Sequence, residues 1–209
     1  MKKYVNLFVF VFMIGACLSQ GRAQTKSAVS YKNPVVDIAM PDPTVIKAAD
    51  GYFYVYATES TRNVPIMKSK DLVEWTYCNT AFTNKTRPRF EPKAGIWAPD
   101  INYINGKYVL YYAMSVWGGE QTCGIGVATA NSPQGPFTDH GKMFRSNEIG
   151  VQNSIDPSLL QYEGRNYLVW GSFRGIYVIE LTADGLSIMS GAKKKRIAGT
   201  AFEAVYIHK

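Results

Sequence analysis

The sequence has few of the residues on which several large enzyme classes depend. Its 209 residues include two histidines, His140 and His208, and no histidine or cysteine cluster has the spacing of a metal site. There is no glycine-rich loop of the kind that cradles phosphate, and no G-x-S-x-G motif that would carry a serine nucleophile. The sequence therefore argues against phosphate-binding enzymes, serine hydrolases of that type and His/Cys metal sites.

Cysteine is also scarce. Of the three cysteines, Cys78 and Cys123 lie outside the N-terminal leader described below. Export would permit a disulfide between them, but two cysteines alone are weak support for one. Small apolar core residues are the favoured interpretation.

Long apolar runs are lacking except near the N-terminus. The run from Val5 to Leu18 follows two lysines and is too short for a membrane span. Residues 1–23 are therefore predicted to be a secretory signal peptide, and residues 24–35 a linker.

Two outcomes remain open for this leader. Cleavage after Ala23 would release a periplasmic or extracellular protein. The segment IGAC instead resembles a bacterial lipobox, in which Cys17 would carry a lipid anchor.

Positive charge is modest once the leader is removed. Loss of Lys2, Lys3 and Arg22 lowers the formal net charge from +7 to +4. The run KKKR, residues 193–196, is interpreted as a solvated loop between strands, and no nucleic-acid partner is expected for an exported protein.

Aromatic residues, by contrast, are abundant, and they accompany an internal repeat. Three stretches align: MPDPTVIKAADGYFYVYATES, WAPDINYINGKYVLYYAMSV and SIDPSLLQYEGRNYLVWGSFR. Each has an acid near proline, an apolar strand, a turn with glycine and an aromatic-rich strand. The turn glycines Gly51, Gly106 and Gly164 lie 55 and 58 residues apart. Such turns between apolar runs predict β-hairpins.

The stretches that follow each hairpin predict two further strands. VPIMKSKDLVEWT, GIGVATANSPQGPFT and GIYVIELTADGLSI each give an alternating third strand, a polar turn and a short fourth strand. Four antiparallel strands recurring at this period favour an all-β propeller over a β-sandwich.

A fourth unit is predicted to begin at AFEAVYIHK, residues 201–209, with a first strand that carries Glu203. Glu203 aligns with Asp42, Asp100 and Asp156, so four carboxylates are expected around a central channel. About three blades and one strand do not close a ring, and the sequence is therefore expected to be truncated.

Carboxylates crowded into one funnel raise one another's pKa values. Acids beside proline also cap tight turns, an interpretation that suits Asp100 better than Asp42 or Asp156. The functional alternative is an acid/base pair, which glycoside hydrolysis requires.

The motifs MPDPTV, IWAPDI, NSIDPSLL, WGSF and FEAVYI, taken in this order, resemble family 43 glycoside hydrolases. The segment YYAMSVWGGEQTCGIGVAT is most similar to the endo-1,5-α-L-arabinanases of that family. The resemblance implies a five-bladed β-propeller that inverts configuration, and it makes residues 36–209 a partial propeller catalytic domain.

The resemblance also implies roles for individual residues. Asp42 matches the general base, Glu203 the general acid, and Asp156 the carboxylate that raises the pKa of the acid and orients it. The expected substrate-binding residues are Trp97, Asp100, Trp117, Asn153 and Phe173, with core packing as the alternative for the two tryptophans.

The family further suggests a structural calcium ion, held in part by a histidine that His208 does not match. No metal ligand is therefore assigned within this sequence. The expected substrate is a polysaccharide or oligosaccharide: arabinan, with arabinoxylan or xylan as alternatives.

Other functions remain open at this point. An exo-acting α-L-arabinofuranosidase or a β-xylosidase would share the same motifs. A non-catalytic glycan-binding propeller and an inactive truncated fragment are the alternatives from other classes.

Overall fold

The computed structural model describes residues 30–207 and is built almost entirely of β-strands. The predicted signal peptide with Cys17, the first half of the predicted linker and His208 lie outside the described residues. The all-β class predicted from the sequence is confirmed: between residues 30 and 207, one four-residue helix, α1 (Ser146–Ile149), accompanies twelve strands. Within the described range, no helix has the length and apolar content that a membrane span needs.

The strands form three four-stranded antiparallel sheets, each following chain order. Sheet I contains β1 (Thr44–Lys47), β2 (Phe53–Tyr56), β3 (Pro65–Ser69) and β4 (Trp75–Thr80). Sheet II contains β5 (Gly95–Ile104), β6 (Lys107–Ser115), β7 (Gly124–Ala130) and β8 (Thr138–Arg145). Sheet III contains β9 (Ser158–Tyr162), β10 (Arg165–Ser172), β11 (Gly175–Leu181) and β12 (Lys195–Ala198). The repeat of four strands is therefore confirmed.

The predicted hairpins form because their turn residues adopt left-handed backbone conformations. Asn105 (φ 49°) and Gly106 (φ 82°) connect β5 to β6, and Glu163 (φ 48°) and Gly164 (φ 73°) connect β9 to β10. Two consecutive residues with positive φ match the right-handed twist of the strands that they join.

The sheets pack through two apolar cores, which we call the first and second cores. The first joins sheets I and II, for example through Tyr56 and Tyr112. The second joins sheets II and III, for example through Tyr111 and Trp170. Tyr111 and Tyr112 are neighbours in β6 and point to opposite faces, so both faces of the middle of sheet II are covered.

This double packing corrects one expectation. GIGVATA, predicted as an alternating strand, is buried at every position of β7. A strand that is covered on both faces has no solvent-facing row of residues, so its sequence needs no polar alternation.

The fourth strand of sheet III is also displaced from its prediction. The sequence suggested a strand at GLSI, where a single bridge between Leu181 and Ile188 forms. The strand β12 lies later and includes Lys195 and Arg196, so half of the predicted KKKR loop is strand. It pairs only with β11, and its charged side chains suit an exposed sheet edge.

The predicted strand over 201–209 is wrong for its described part. Residues 201–207 contain no strand, and Ala204 has a positive φ of 52°. A strand requires a neighbour for its backbone N–H and C=O groups, and none of the twelve strands pairs with this segment.

Candidate active site

The first strands of the three sheets open onto one cavity of about 470 Å³. Its wall is formed by residues at or just before the starts of β1 and β9, by residues of β5 and by the segment after β12. The lining residues include Asp42, Thr44, Ala98, Asp100, Asn102, Asp156, Ser158, Ala204 and Tyr206. Residues far apart in sequence are thus brought to one place by the repeat of the sheets.

A backbone feature shows which positions are equivalent among the sheets. Asp42, Ala98 and Asp156 have positive φ values of 50°, 38° and 55°. Each is followed directly by proline, at positions 43, 99 and 157. Non-glycine residues rarely adopt such φ values, and when they do they cluster at functional sites.

This equivalence corrects the predicted alignment of four acids. Ala98, not Asp100, is the counterpart of Asp42 and Asp156 in sheet II. Ala204 repeats the positive φ, so Glu203 lies one residue earlier than the equivalent position. In sheet II, β5 has a bulge between Trp97 and Asp100, which shifts the pairing of this strand with β6.

Asp100 is buried and joins the first strands of all three sheets. Its Oδ2 accepts hydrogen bonds from the Leu159 N–H and from Asn102 Nδ2, both at 2.7 Å. Its Oδ1 accepts a longer bond of 3.5 Å from Thr44 Oγ1. Burial raises the pKa of Asp100 to about 6 although these hydrogen bonds lower it. The arrangement makes Asp100 a structural link at the floor of the cavity.

Asp156 has the most perturbed carboxyl group of the cavity. Burial is the largest cause, and the nearby charges of Glu203 and Asp42 add to it, raising the pKa of Asp156 to about 7. The Ala204 N–H donates a 3.2 Å hydrogen bond to Asp156 Oδ2 and acts in the opposite direction. The three acids assigned to catalysis from the sequence therefore interact electrostatically.

The carboxyl with the raised pKa is Asp156, which the sequence assigned to orient the acid Glu203. Asp156 is partly buried, whereas Glu203 is exposed to solvent. The more buried of two interacting carboxyls is the one that retains a proton to higher pH.

Asp42 has a partner that the sequence did not indicate. Thr58, just after β2, donates a 2.6 Å hydrogen bond from Oγ1 to Asp42 Oδ2. Thr58 lies in the polar run TES after an apolar strand, a pattern too common to identify it.

The two tryptophans predicted to bind substrate form a pair. The ring centroids of Trp97 and Trp117 are 6.4 Å apart, with the rings tilted by 53°. Trp97 packs against a small cluster of Ala113, Cys123 and Ile155, while Trp117 is 95% exposed. Such an exposed aromatic face suits stacking on a sugar ring.

Asn153 and Phe173 come together through a residue that the sequence did not single out. Ser172 is fully buried; its Oγ accepts hydrogen bonds from Asn153 Nδ2 at 2.7 Å and from the Phe173 N–H at 2.6 Å. The Phe173 side chain is 54% exposed.

Cys78 and Cys123 are both free thiols. Cys78 packs against the first core, and Cys123 belongs to the small cluster beside Trp97. The core interpretation is therefore the one that the structure supports.

The residues between positions 30 and 207 do not assemble a group of three His, Cys, Asp or Glu side chains able to hold a metal ion. The family resemblance remains the basis for expecting calcium.

Comparison with known proteins gives a consistent picture. The model of the family described as glycosyl hydrolases family 43 matches residues 31–209. An extracellular endo-α-(1→5)-L-arabinanase of Bacillus subtilis is 38% identical over 140 residues, covering 63% of this chain and 43% of that protein. The chain thus spans less than half the length of this curated relative.

Solved structures of arabinanases are also similar. An exo-1,5-α-L-arabinanase from a bovine ruminal metagenomic library has a TM-score of 0.69 at 29% identity, covering 84% of this chain and 62% of that one. An α-L-arabinanase of Cellvibrio cellulosa, complexed with arabinohexaose, has a TM-score of 0.68 at 26% identity, covering 80% and 58%.

Proposed function

The chain belongs to family 43 of the glycosyl hydrolases, and from this premise we propose that it carries the catalytic part of a glycosidase that cleaves α-L-arabinofuranosidic linkages of arabinan with inversion of configuration. Sheets I to III would be three blades of a five-bladed propeller, with their first strands around its axis. The relatives named as arabinanases support the choice of arabinan.

One observation carries this proposal. Asp42 and Asp156 line one cavity and occupy equivalent strained positions in different sheets, and the charges of Glu203 and Asp42 contribute to the raised pKa of Asp156. Structural acids dispersed over a protein surface have no reason to raise the pKa of a buried neighbouring carboxyl. Interacting carboxyls in a cleft are typical of acid/base sites.

Asp42 is proposed as the general base. It is exposed and accepts a hydrogen bond from Thr58 at 2.6 Å. This hydrogen bond holds Oδ2 of the carboxylate and leaves Oδ1 to take a proton from the attacking water.

Glu203 is proposed as the general acid, acting together with Asp156. Burial and the nearby charge of Glu203 raise the pKa of Asp156 to about 7, so Asp156 retains a proton near neutrality. Asp156 Oδ2 is engaged by the Ala204 N–H, whereas exposed Glu203 is free to approach the leaving oxygen. We assign delivery of the proton to Glu203 and its retention near neutrality to Asp156.

Trp97, Trp117 and Phe173 are proposed to bind sugar rings, with Asn153 held in place through Ser172; none of these residues is among the described residues that line the cavity of Asp42 and Asp156. Trp117 and Phe173 offer exposed aromatic faces. The predicted leader is the basis for proposing export; a lipid anchor at Cys17 remains the alternative.

The test is hydrolysis of linear, debranched 1,5-arabinan by the purified protein, with products separated by anion-exchange chromatography. Wild type is expected to release arabinose or short arabinose oligosaccharides, whereas Asp42→Asn and Glu203→Gln should lose most activity. Glu74→Gln, which changes an exposed acid between β3 and β4, is the matched control and should retain it.

The product pattern separates the alternatives. Oligosaccharides of several lengths indicate endo action, and arabinose alone indicates exo action. Release of xylose from xylan but nothing from arabinan would contradict the substrate assignment, and binding without products would indicate a glycan-binding protein.

A further inference from the structure

The segment after β2, residues 58–60, forms a bridge of hydrogen bonds between the residues that precede β1 in sheet I and the start of β5 in sheet II. On one side the Thr58 N–H donates to Pro41 O at 2.9 Å, and Ser60 Oγ donates to Ala39 O at 2.5 Å. On the other side the Glu59 N–H donates to Ile96 O at 3.1 Å. The backbone of this bridge is therefore fixed from both sheets.

The side chain of Glu59 anchors the bridge further. Its carboxylate accepts hydrogen bonds from the Ile96 N–H at 2.9 Å and the Asn63 N–H at 2.7 Å, and it forms an ion pair with Arg87. Both side chains of the pair are less than 10% exposed. Burial raises the pKa of Glu59, but the bonds from Arg87, Asn63 and Ile96 outweigh it and hold the pKa below its usual value.

The hydroxyl of Thr58 is held in a defined orientation by this frame. The Ala98 N–H donates a 2.6 Å hydrogen bond to Thr58 Oγ1. Because an N–H can only donate, the hydroxyl acts as acceptor there, and its single proton is available for Asp42 Oδ2 at 2.6 Å. The direction of the Thr58–Asp42 hydrogen bond is thus set by the backbone of sheet II.

We propose that Thr58 is a positioning residue for the reaction, which fixes the carboxylate of Asp42 by occupying Oδ2 and turns Oδ1 toward the attacking water. This inference rests on the proposed function, in which Asp42 is the base. The position of the Asp42 carboxylate in sheet I would then depend on sheet II. There Ala98, the counterpart of Asp42, orients Thr58, and Thr58 in turn holds Asp42.

The test compares three variants of the purified protein on a linear arabinose oligosaccharide. Thr58→Val keeps the branched shape and removes the hydroxyl, whereas Thr58→Ser keeps the hydroxyl. Thr129→Val is the control, because the Thr129 hydroxyl also makes a side-chain hydrogen bond, to His140 at 2.8 Å, but away from the cavity; Thr129 is buried in β7, whereas Thr58 is partly buried.

Thr58→Val is expected to lower kcat by roughly 10- to 100-fold, the effect of losing one hydrogen bond to a charged group, with KM changed less than about twofold. Thr58→Ser should restore kcat to within about threefold of wild type, and Thr129→Val should leave it unchanged. A merely structural role for Thr58 would not give this separation of kcat from KM or the rescue by serine.

Unchanged kcat in Thr58→Val, or equal losses in the valine and serine variants, would overturn the proposal. A crystal structure of Thr58→Val provides a readout besides activity: the Asp42 carboxylate should leave the position seen in wild type, and an unmoved carboxylate would also overturn it. Inactive wild type on all arabinose substrates would refute the proposed function, while this structural comparison would still decide the role of Thr58. Thr58→Ala serves the same comparison if the valine variant does not fold.

Discussion

Asp156 combines burial and charge repulsion, and both act against its ionised form. In an unfolded chain an aspartate titrates near pH 4, whereas Asp156 in the folded protein has a pKa of about 7. The folded protein therefore tolerates this carboxyl best when it is protonated. A residue that lowers stability at neutral pH and yet lies in the central cavity is consistent with selection for chemistry rather than for stability.

Replacing Asp156 by Asn should make the protein more stable at neutral pH. Below about pH 4, Asp156 is protonated in both the folded and the unfolded wild type, so the substitution has little effect on stability. Between about pH 4 and 7, Asp156 ionises in the unfolded wild type but stays protonated in the folded protein. The wild type therefore loses stability as the pH rises, whereas the asparagine variant does not. We expect a gain of about 2 kcal/mol at pH 8, after allowance for partial solvent exposure. Urea unfolding of both proteins at several pH values measures it, and a gain that is independent of pH would contradict the assignment.

The two catalytic assignments predict different responses to the leaving group. Asp42→Ala should lower turnover by roughly a hundredfold or more on every substrate, because water activation is always needed. Glu203→Ala should lose as much on arabinan but much less on an aryl arabinofuranoside, whose leaving group needs little protonation. Steady-state kinetics on both substrates checks this, and equal losses for Glu203→Ala on both would remove Glu203 from the acid role.

At the scale of strands, Asp100 links the three sheets where they meet. Asp100→Ala should lower the free energy of unfolding by about 2–3 kcal/mol, because it leaves the buried Leu159 N–H and Asn102 amide without their acceptor. Asp100→Asn keeps one carbonyl acceptor and should cost less. Chemical denaturation measures both, and an alanine variant as stable as wild type would show that Asp100 is not a link.

A second prediction at this scale concerns β7 in the covered middle of sheet II. A Cβ at Gly126 would lie 2.4 Å from the ring of Tyr112, which is fully buried, so Gly126→Ala should destabilise the protein by roughly 1–3 kcal/mol. Gly199, which has no atom within 4 Å of an added Cβ, is the matched control. Thermal unfolding of the two alanine variants checks this, and equal melting temperatures would contradict the close packing.

Strands and turns were predictable where the decisive interactions are local. Asn105–Gly106 and Glu163–Gly164 specify their hairpins within a few residues of sequence. Asp100 was misaligned although it follows its proline, whereas Asp42 and Asp156 precede theirs; what the sequence could not show is the bulge in β5 between Trp97 and Asp100. A bulge depends on pairing with a neighbouring strand, which the repeat alone does not encode.

At the scale of the whole molecule, the sequence indicated that distant acids would meet but not how each would be held. Asp156 interacts electrostatically with Asp42, which lines the same cavity, and with Glu203, which lies in the segment after β12. The Thr58 contact and the Ser172 link were missed because each joins segments that are separate in sequence. The location of β12 was missed because an exposed edge strand with lysine and arginine has the composition of a loop.

The central claim is that these carboxylates hydrolyse an arabinofuranosidic bond with inversion. The inverting mechanism requires a base, Asp42, that activates water on one face of the sugar while Glu203 protonates the leaving oxygen on the other. The most direct measurement is proton NMR of the anomeric signal of the first product from an α-L-arabinofuranosidic substrate, recorded before mutarotation. The account predicts a β-configured product that appears first and then equilibrates; an α-configured first product would contradict it.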